Sequence, residues 1–548
     1  MSDGLRIGVA QLNFTVGDIP GNAARIITAA EQARDVHGCD LVVFPELAVT
    51  GYPPEDLLLR PAFLSQADAS LERVARSVSG IAVLVGYPLR ENGRLFNAAA
   101  FLQDGQRLGV YRKRQLPNYN VFDERRYFDA GRGSCVIDYR GLRLGVTICE
   151  DVWQDGPVED AVAAGAQVVV NLNASPFHIG RDDERLAVVA ERARGSRVPI
   201  IYAHMVGGQD ELVFDGASFV VNRDGTLTQR ARHFDEDLMV CTLRLNPEPT
   251  PLAGDIESLA SVEQGVYQAL TTGVRDYVGK NGFKGVVIGL SGGVDSALTL
   301  VIAVDALGAD AVQAVLMPSR YTSAMSIDDA RSQAEVLGVI HHQISIEPMF
   351  AAYLEQLAPV FGEAAPDATE ENLQARCRGM LLMAISNKSG SMVLTTGNKS
   401  EMAVGYATLY GDMAGGFAAI KDVSKTLVYR LARYRNAVSP VIPERVLTRP
   451  PSAELAHDQK DEDTLPPYDV LDPILEMYIE QDRSPEEIVA CGFASDIVYR
   501  VAQLVDRNEY KRRQAAPGVR ITGRAFGRDR RYPITSGFKN RPGSQTGA

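Results

Sequence analysis

Between positions 286 and 296 an apolar run, Val286-Val-Ile-Gly-Leu290, passes without a break into Ser291-Gly-Gly-Val-Asp-Ser296. The first five residues read as a buried strand, the glycines as a tight turn, and Asp295 with Ser296 as the opening of a helix. The pattern then recurs. Strands are expected at 285–290, 311–317, 341–346 and 392–396, and helices at 295–307, 326–337 and 371–386. Such βα alternation builds a doubly wound parallel sheet. Just upstream, Leu259, Val262, Val266, Leu270, Val274 and Tyr277 recur at spacings of three and four, one face of a long helix.

Residues 1–245 also alternate apolar strands with amphipathic helices. Strands are expected at 6–11, 41–44, 82–86, 142–148, 168–171, 200–203 and 219–221, and helices at 22–36, 61–79 and 183–195. The two halves meet at Asn246-Pro-Glu-Pro-Thr-Pro-Leu-Ala-Gly-Asp255, where three prolines in six residues cannot continue a helix or an inner strand. A length of 548 residues suits about two to four domains. The division expected is a first domain over 1–245, a linker over 246–257, a second domain over 258–540 and a frayed tail over 541–548.

Composition narrows the function classes. No stretch approaches the roughly 18 apolar residues of a membrane helix. The first residues lack the basic and apolar regions of a signal peptide. Six cysteines stand apart with no CxxC pair, which argues against a zinc site and a disulfide framework and suits a reducing cytoplasm. A net charge of −13 disfavours nucleic acid as a partner, although the stretch from 507 to 541 is rich in Lys and Arg and leaves room for a local anion site.

In the first half, Cys149 ends an expected strand, Glu46 follows Leu41-Val-Val-Phe-Pro45, and Lys113 follows strand-like residues 108–111. Alone, such a cysteine reads as a small buried hydrophobe, and Glu46 and Lys113 as surface charges. Together they suit amide cleavage. A thiol is mostly protonated near neutrality and needs a base, and attack on an amide builds oxyanion charge that an ammonium would stabilise. Phe44-Pro-Glu46, Lys113-x-x-Leu-Pro117 and Ile148-Cys-Glu-Asp-Val-Trp153 resemble the three signature segments of the nitrilase superfamily. That resemblance implies an α-β-β-α sandwich, with Glu46 as base, Lys113 as oxyanion stabiliser and Cys149 as nucleophile. Glu124, within Tyr119-Asn-Val-Phe-Asp-Glu124, is implied as a second carboxylate. The Cys-Glu-Asp-Val-Trp run is more similar to the glutaminase domain of glutamine-dependent NAD synthetases, which implies that Tyr119, Ser175 and Arg181 hold glutamine. An arginine suits its α-carboxylate.

In the second half, Ser291–Ser296 offers backbone N–H groups, two hydroxyls and a helix N-terminus to phosphate, without the spacing of a Walker A loop. A glycine turn with capping residues is the plainer reading. The whole motif, directly after its strand, resembles the pyrophosphate loop of the N-type ATP pyrophosphatases (an adenine nucleotide alpha hydrolase-like fold). Gly289, Leu290, Ser291, Gly292, Gly293, Val294, Asp295 and Ser296 are thereby implied to contact ATP. Leu394-Thr-Thr-Gly-Asn-Lys-Ser-Glu401 resembles a segment of NAD synthetases and implies Thr396 as an ATP contact. By the same likeness Lys421 and Ser452 face ATP, and Asn372, Arg376, Glu401 and Lys511 reach deamido-NAD. Asp295 and Glu401 are implied to serve Mg²⁺, a hard ion that takes one or two carboxylates plus phosphate oxygens.

The resemblance spans both halves in order. It implies ATP-dependent amidation of deamido-NAD with ammonia from glutamine or supplied free, in a cytoplasmic homo-oligomer, with a protected path for the ammonia. Three rivals stay open: another amidotransferase on the same loop, a nitrilase-type hydrolase with an idle nucleotide domain, and a nucleotide-sensing regulator.

Overall fold

The computed structural model describes residues 4–457, 459, 461–538 and 540. The chain divides into two compact units, Met1–Ala260 and Ser261–Ala548. The expected tail at 541–548 lies outside the described residues.

The first unit holds two large sheets. One has seven strands, in the order Thr250–Pro251, Asp237–Arg244, Gly4–Gln11, Leu41–Val43, Ala82–Glu91, Arg94–Gln103 and Gln106–Arg112. The other has six, in the order Leu227–Arg230, Phe219–Val221, Ile200–His204, Val168–Asn173, Leu142–Ile148 and Cys135–Tyr139. Alternate residues of a strand point to opposite faces, so a strand covered on both sides is apolar throughout. Leu41 and Val43 face the core between the sheets with Ile148, Val170 and Ile201. Val42 faces outward and packs with residues of the helices Ile19–Asp35 and Pro61–Ser77. Val158, Val189 and Ala193, from the helices Pro157–Ala163 and Arg181–Ser196, cover Val169, Ile200 and Tyr202 of the second sheet. The layering is helix, sheet, sheet, helix.

The segment 246–257 is not a free linker. Thr250–Pro251 pairs antiparallel with Leu243 and Arg244, and Ile256 bridges Arg230. An edge position leaves proline's missing N–H unneeded, which reconciles the prolines with a strand.

In the second unit the five-stranded sheet is parallel throughout, ordered Ile340–Gln343, Val312–Leu316, Val286–Gly289, Met392–Thr395 and Phe417–Ala418. In chain order this is 3-2-1-4-5, so the order reverses between the first and fourth strands, where ligands bind in open α/β sheets. Leu382 and Ile385 of the helix Ala368–Ser389 pack on Val287, Val315 and Val393. The helix Val294–Leu307 packs against the strands Val286–Gly289 and Val312–Leu316. The expected long helix runs Val262–Lys280, capped by Ser261. Val266, Leu270 and Val274 of its stripe are buried, whereas Leu259 precedes it and both Leu259 and Val262 are exposed. A second core, built from helices such as Tyr468–Leu475 and Ser495–Arg507, completes the unit.

Candidate functional site

Four chain segments bring one charged cluster into the interior of the first unit. Glu46 follows its strand, Lys113 follows Gln106–Arg112, and both side chains are fully buried. Lys113 Nζ donates to Glu46 Oε1 at 2.7 Å and to Glu124 Oε1 at 2.8 Å. Asn97 Nδ2 donates to Glu46 Oε1 at 2.7 Å, and the Ala174 N–H donates to Oε2 at 3.1 Å. Tyr52 donates its hydroxyl to Glu124 Oε1 at 3.2 Å, while Glu124 Oε2 is buried without a partner. Burial pushes Glu124 up to about 7 against the pull of Lys113.

Cys149 stands at the tip of Leu142–Ile148, buried, with φ of 45°. An L-residue rarely takes that left-handed backbone, which costs about 1–2 kcal/mol. The turn is held by Asp151. Its Oδ2 accepts the Ile148 N–H at 3.0 Å and the Tyr111 hydroxyl at 2.8 Å, and its Oδ1 accepts the N–H groups of Arg114 and Gln115. One buried carboxylate thus ties the Cys149 turn to the residues flanking Lys113. Burial pushes the Cys149 thiol well up; Glu46 adds to that and Lys113 opposes it.

Ser175 and Arg181 also come together. Ser175 Oγ accepts from Arg181 Nε and Nη2, both at 3.3 Å, and the guanidinium lies 4.0 Å over the Trp153 ring. Tyr119 is half-exposed and donates to Glu150 Oε2 at 2.8 Å. Burial and the charge of Glu150 raise its hydroxyl. The carboxylate of Glu150, next to Cys149 in the chain, was not singled out from sequence, although its place in the Cys-Glu-Asp run was the available signal.

In the second unit the Ser291–Ser296 loop leaves the first strand at the point of reversal, and Thr396 leaves the fourth. Ser291 Oγ lies 3.0 Å from Ser296 Oγ and accepts the Gly293 N–H at 3.2 Å. Gly292 has φ of +82°, and a Cβ there would stand 2.3 Å from the Ser326 carbonyl oxygen. Ser291, Gly293, Val294, Asp295, Ser296, Thr396, Glu401, Lys421 and Ser452 line one cavity of about 240 Å³. Gly289, Leu290, Ser291 and Thr396 line a second of about 210 Å³, more apolar, with Ile327 and Leu382. Ala453 and Glu454 border both. Glu454 reaches Ser326 Oγ at 2.7 Å and Ser323 Oγ at 3.0 Å, and Arg449 donates to the Gly292 carbonyl, so this segment lies over the loop. Positions 458 and 460 within it lie outside the described residues.

Lys425, which also lines the first cavity, lies between the two carboxylates. Its Nζ donates to Asp295 Oδ2 at 2.6 Å and to Glu401 Oε1 at 3.1 Å, whereas Lys421 Nζ donates to the Ala516 carbonyl at 2.7 Å. Burial pushes Glu401 up to about 7, with Lys425 opposing and Asp295 and Asp461 adding. Among the described residues no group of three or more His, Cys, Asp or Glu is arranged to hold a metal by itself. Two carboxylates beside a phosphate-sized cavity still fit Mg²⁺, which takes its remaining oxygens from substrate and water.

Asn372, Arg376 and Lys511 do not line either cavity. They gather around residues 405–412. Asn372 accepts from Thr408 Oγ1 at 2.8 Å, Arg376 donates to the Leu409 carbonyl at 3.3 Å, and Lys511 donates to the carbonyls of Gly405 and Ala407 at 2.8 Å. The basic C-terminal stretch is largely spent internally. Arg512 and Arg530 both pair with Glu509, and Arg520 pairs with Asp529.

Comparison with known proteins finds a different family model in each half of the chain. Residues 6–247 match the carbon-nitrogen hydrolase family model, and residues 266–515 match the NAD synthase model. A glutamine-dependent NAD(+) synthetase of Xylella fastidiosa (strain Temecula1 / ATCC 700964) is 53% identical, over 98% of this chain and 100% of the relative. One of Thermotoga maritima is 48% identical, over 98% and 99%. The chain belongs to the glutamine-dependent NAD(+) synthetase family. A solved family structure, the enzyme of Acinetobacter baumannii in complex with adenosine diphosphate, superposes with a TM-score of 0.79 at 46% identity, covering 98% of this chain and 100% of that one. Within this member of the family, sequence reasoning missed Asn97, Tyr52, Asp151 and Lys425. None lies in a motif of its own; Asp151 stood within the Cys-Glu-Asp-Val-Trp run and Lys425 four residues after Lys421, whereas Asn97 and Tyr52 stood outside every segment singled out.

Proposed function

We propose that this chain makes NAD from deamido-NAD, ATP and glutamine, releasing AMP, pyrophosphate and glutamate. The observation that carries it is the presence in one chain of a buried Glu-Lys-Cys cluster and a Ser291–Ser296 loop at a sheet's point of reversal.

Glu46 takes the Cys149 thiol proton as Sγ attacks the glutamine side-chain amide carbon. Lys113 faces the oxygen that gains charge. The C–N bond breaks, the nitrogen leaves as ammonia with the proton from Glu46, and water hydrolyses the thioester to glutamate. Arg181 and Ser175 hold the α-carboxylate, with Tyr119 and Glu150 alongside. In the second unit the nicotinate carboxylate of deamido-NAD attacks the α-phosphorus of ATP and pyrophosphate leaves. Ammonia then attacks the acyl adenylate, forming the amide and releasing AMP. The loop N–H groups, Lys425 and Lys421 answer the phosphate charge. Asp295 and Glu401 would hold Mg²⁺, which would supply charge neutralisation there. Glu401 lines the cavity and faces deamido-NAD, while Asn372, Arg376 and Lys511 hold residues 405–412, of which Tyr406, Ala407 and Asp412 line that cavity.

No helix among the described residues is long and apolar enough to cross a membrane. The six free cysteines suit a reducing cytoplasm. Tyr353 and Val360 of the helix Glu347–Phe361 and Met380 of its neighbour are exposed, an apolar face that suits self-association. A monomeric mass by light scattering would sink that part.

The deciding experiment follows NAD and AMP from ATP, Mg²⁺ and deamido-NAD with glutamine or ammonium. Cys149→Ala is expected to lose the glutamine reaction and keep the ammonium reaction. Failure of the native chain to form NAD from either nitrogen source would overturn the reading.

A further inference from the structure

The Ser175 peptide is gripped at both of its polar groups by side chains that the chemistry above does not use. His204 ends the strand Ile200–His204 with no exposed surface. Its Nδ1 lies 2.8 Å from the Gly216 carbonyl oxygen. A carbonyl can only accept, so Nδ1 carries the hydrogen. Nε2 faces both polar groups of Ser175, 3.0 Å from its nitrogen and 2.9 Å from its carbonyl oxygen, and on a neutral ring it accepts the N–H. The Ser175 carbonyl is taken from the other side by Arg185 Nη2 at 2.8 Å. Arg185 is itself buried, and its charge is met by Asp215 at 2.6 Å and by Asp182 at 3.1 Å. With N–H and C=O both fixed, Ser175 has one polar group left to present, its Oγ, and that oxygen faces the Arg181 guanidinium.

We propose that His204 is a positioning residue for glutamine binding: its neutral ring, bridged between Gly216 and Ser175, sets the Ser175 hydroxyl and through it the Arg181 guanidinium against the substrate α-carboxylate. The inference rests on the reading that Arg181 and Ser175 hold that carboxylate. A protonated Nε2 would lose the Ser175 N–H and could donate only to the Ser175 carbonyl oxygen, 2.9 Å away and already held by Arg185. Burial and the neighbouring Arg185 oppose that state and push His204 down to about 4. The competing account is a core histidine that merely satisfies backbone groups of the fold.

The two accounts part over what the substrate carries. The full chain is assayed for amide hydrolysis with glutamine and with 4-aminobutanamide, which is glutamine without its α-carboxylate. Ammonium-driven NAD formation is followed in parallel. His204→Leu removes both ring bonds and strands a buried N–H. It is expected to lower kcat/KM for glutamine by about tenfold or more, mainly through KM, with little change for 4-aminobutanamide. His204→Gln, whose amide offers a donor and an acceptor at similar spacing, is expected to recover most of that loss. Should His204→Leu not fold, His204→Asn, whose shorter amide cannot span both partners, makes the same comparison. An equal loss on both amides, or none on either, overturns the proposal. Arg181→Ala separates its failure from failure of the underlying reading. If that variant does not itself discriminate between the two amides, the carboxylate assignment is wrong. If it discriminates and the His204 variants do not, only the role of His204 falls.

Discussion

One ammonium, Lys113, lies between two carboxylates in the protein interior. Three full charges would leave a net negative charge in the interior, and low local polarity opposes that. Keeping Glu124 protonated removes the excess, which is the physical content of its rise to about 7 from 4.5. The consequence for stability has a definite sign. A carboxyl whose folded value lies above its unfolded value binds its proton more tightly when folded. Its contribution is complete below about 4.5 and is lost as pH rises through about 7. Thermal melts of the native chain and of Glu124→Gln, compared from pH 5 to 8, should show the native chain losing ground to the variant as pH rises. A difference that does not change with pH would contradict the assignment. At this scale Glu46, Lys113, Cys149 and Glu124 were legible because each sits in a recognisable segment. Asn97 and Asp151 were not. Asn97 lies inside a strand, and its bond to Glu46 spans 51 positions. Asp151 stood in the motif, but its four donors come from two other strands' ends.

Among the elements, the Ser291–Ser296 turn carries the strictest backbone requirement. Gly292 is left-handed, and its missing side chain makes room for the Ser326 carbonyl at the start of the next crossover helix. An alanine there would bear about 1–2 kcal/mol of backbone strain as well as that clash. Gly292→Ala should therefore shift the loop and lower NAD formation from ammonium and glutamine alike, by about a hundredfold for a displacement near 1 Å. Glutamine hydrolysis in the first unit should continue, and NAD formation at native rates would show that the loop does not hold ATP. Legibility of elements followed their burial. Leu142–Ile148 and Phe219–Val221 matched their expected limits because both their faces meet core. Arg94–Gln103 and Cys135–Tyr139 went unseen, since polar residues interrupt their apolar pattern. The helix Glu347–Phe361 has only Phe350 buried and contains Pro359, so it lacks the one-sided stripe by which helices are read.

At the scale of the whole molecule, the sequence foretold a parallel sheet but not the order of its strands. That order decides the second site. It puts the loop after Val286–Gly289 beside the loop after Met392–Thr395, and lets Lys425 reach Asp295 across 130 positions. No local pattern encodes such a meeting. Two sites on one chain also raise the question of how ammonia travels. Near neutrality free ammonia is mostly ammonium, which has no lone pair to attack an acyl adenylate. A chain that joins an ammonia source to an ammonia user gains most if the nitrogen is kept from bulk water. NAD formation by the native chain on glutamine should then resist an added ammonia-consuming dehydrogenase, at a level that stops the ammonium-driven reaction. A mixture of Cys149→Ala chains with a hydrolysing nitrilase-type amidase, where nitrogen must cross the solvent, should be suppressed by the same trap. Equal suppression of both would mean that released ammonia equilibrates with solvent, and covalent linkage would then explain only the matched supply of the two activities.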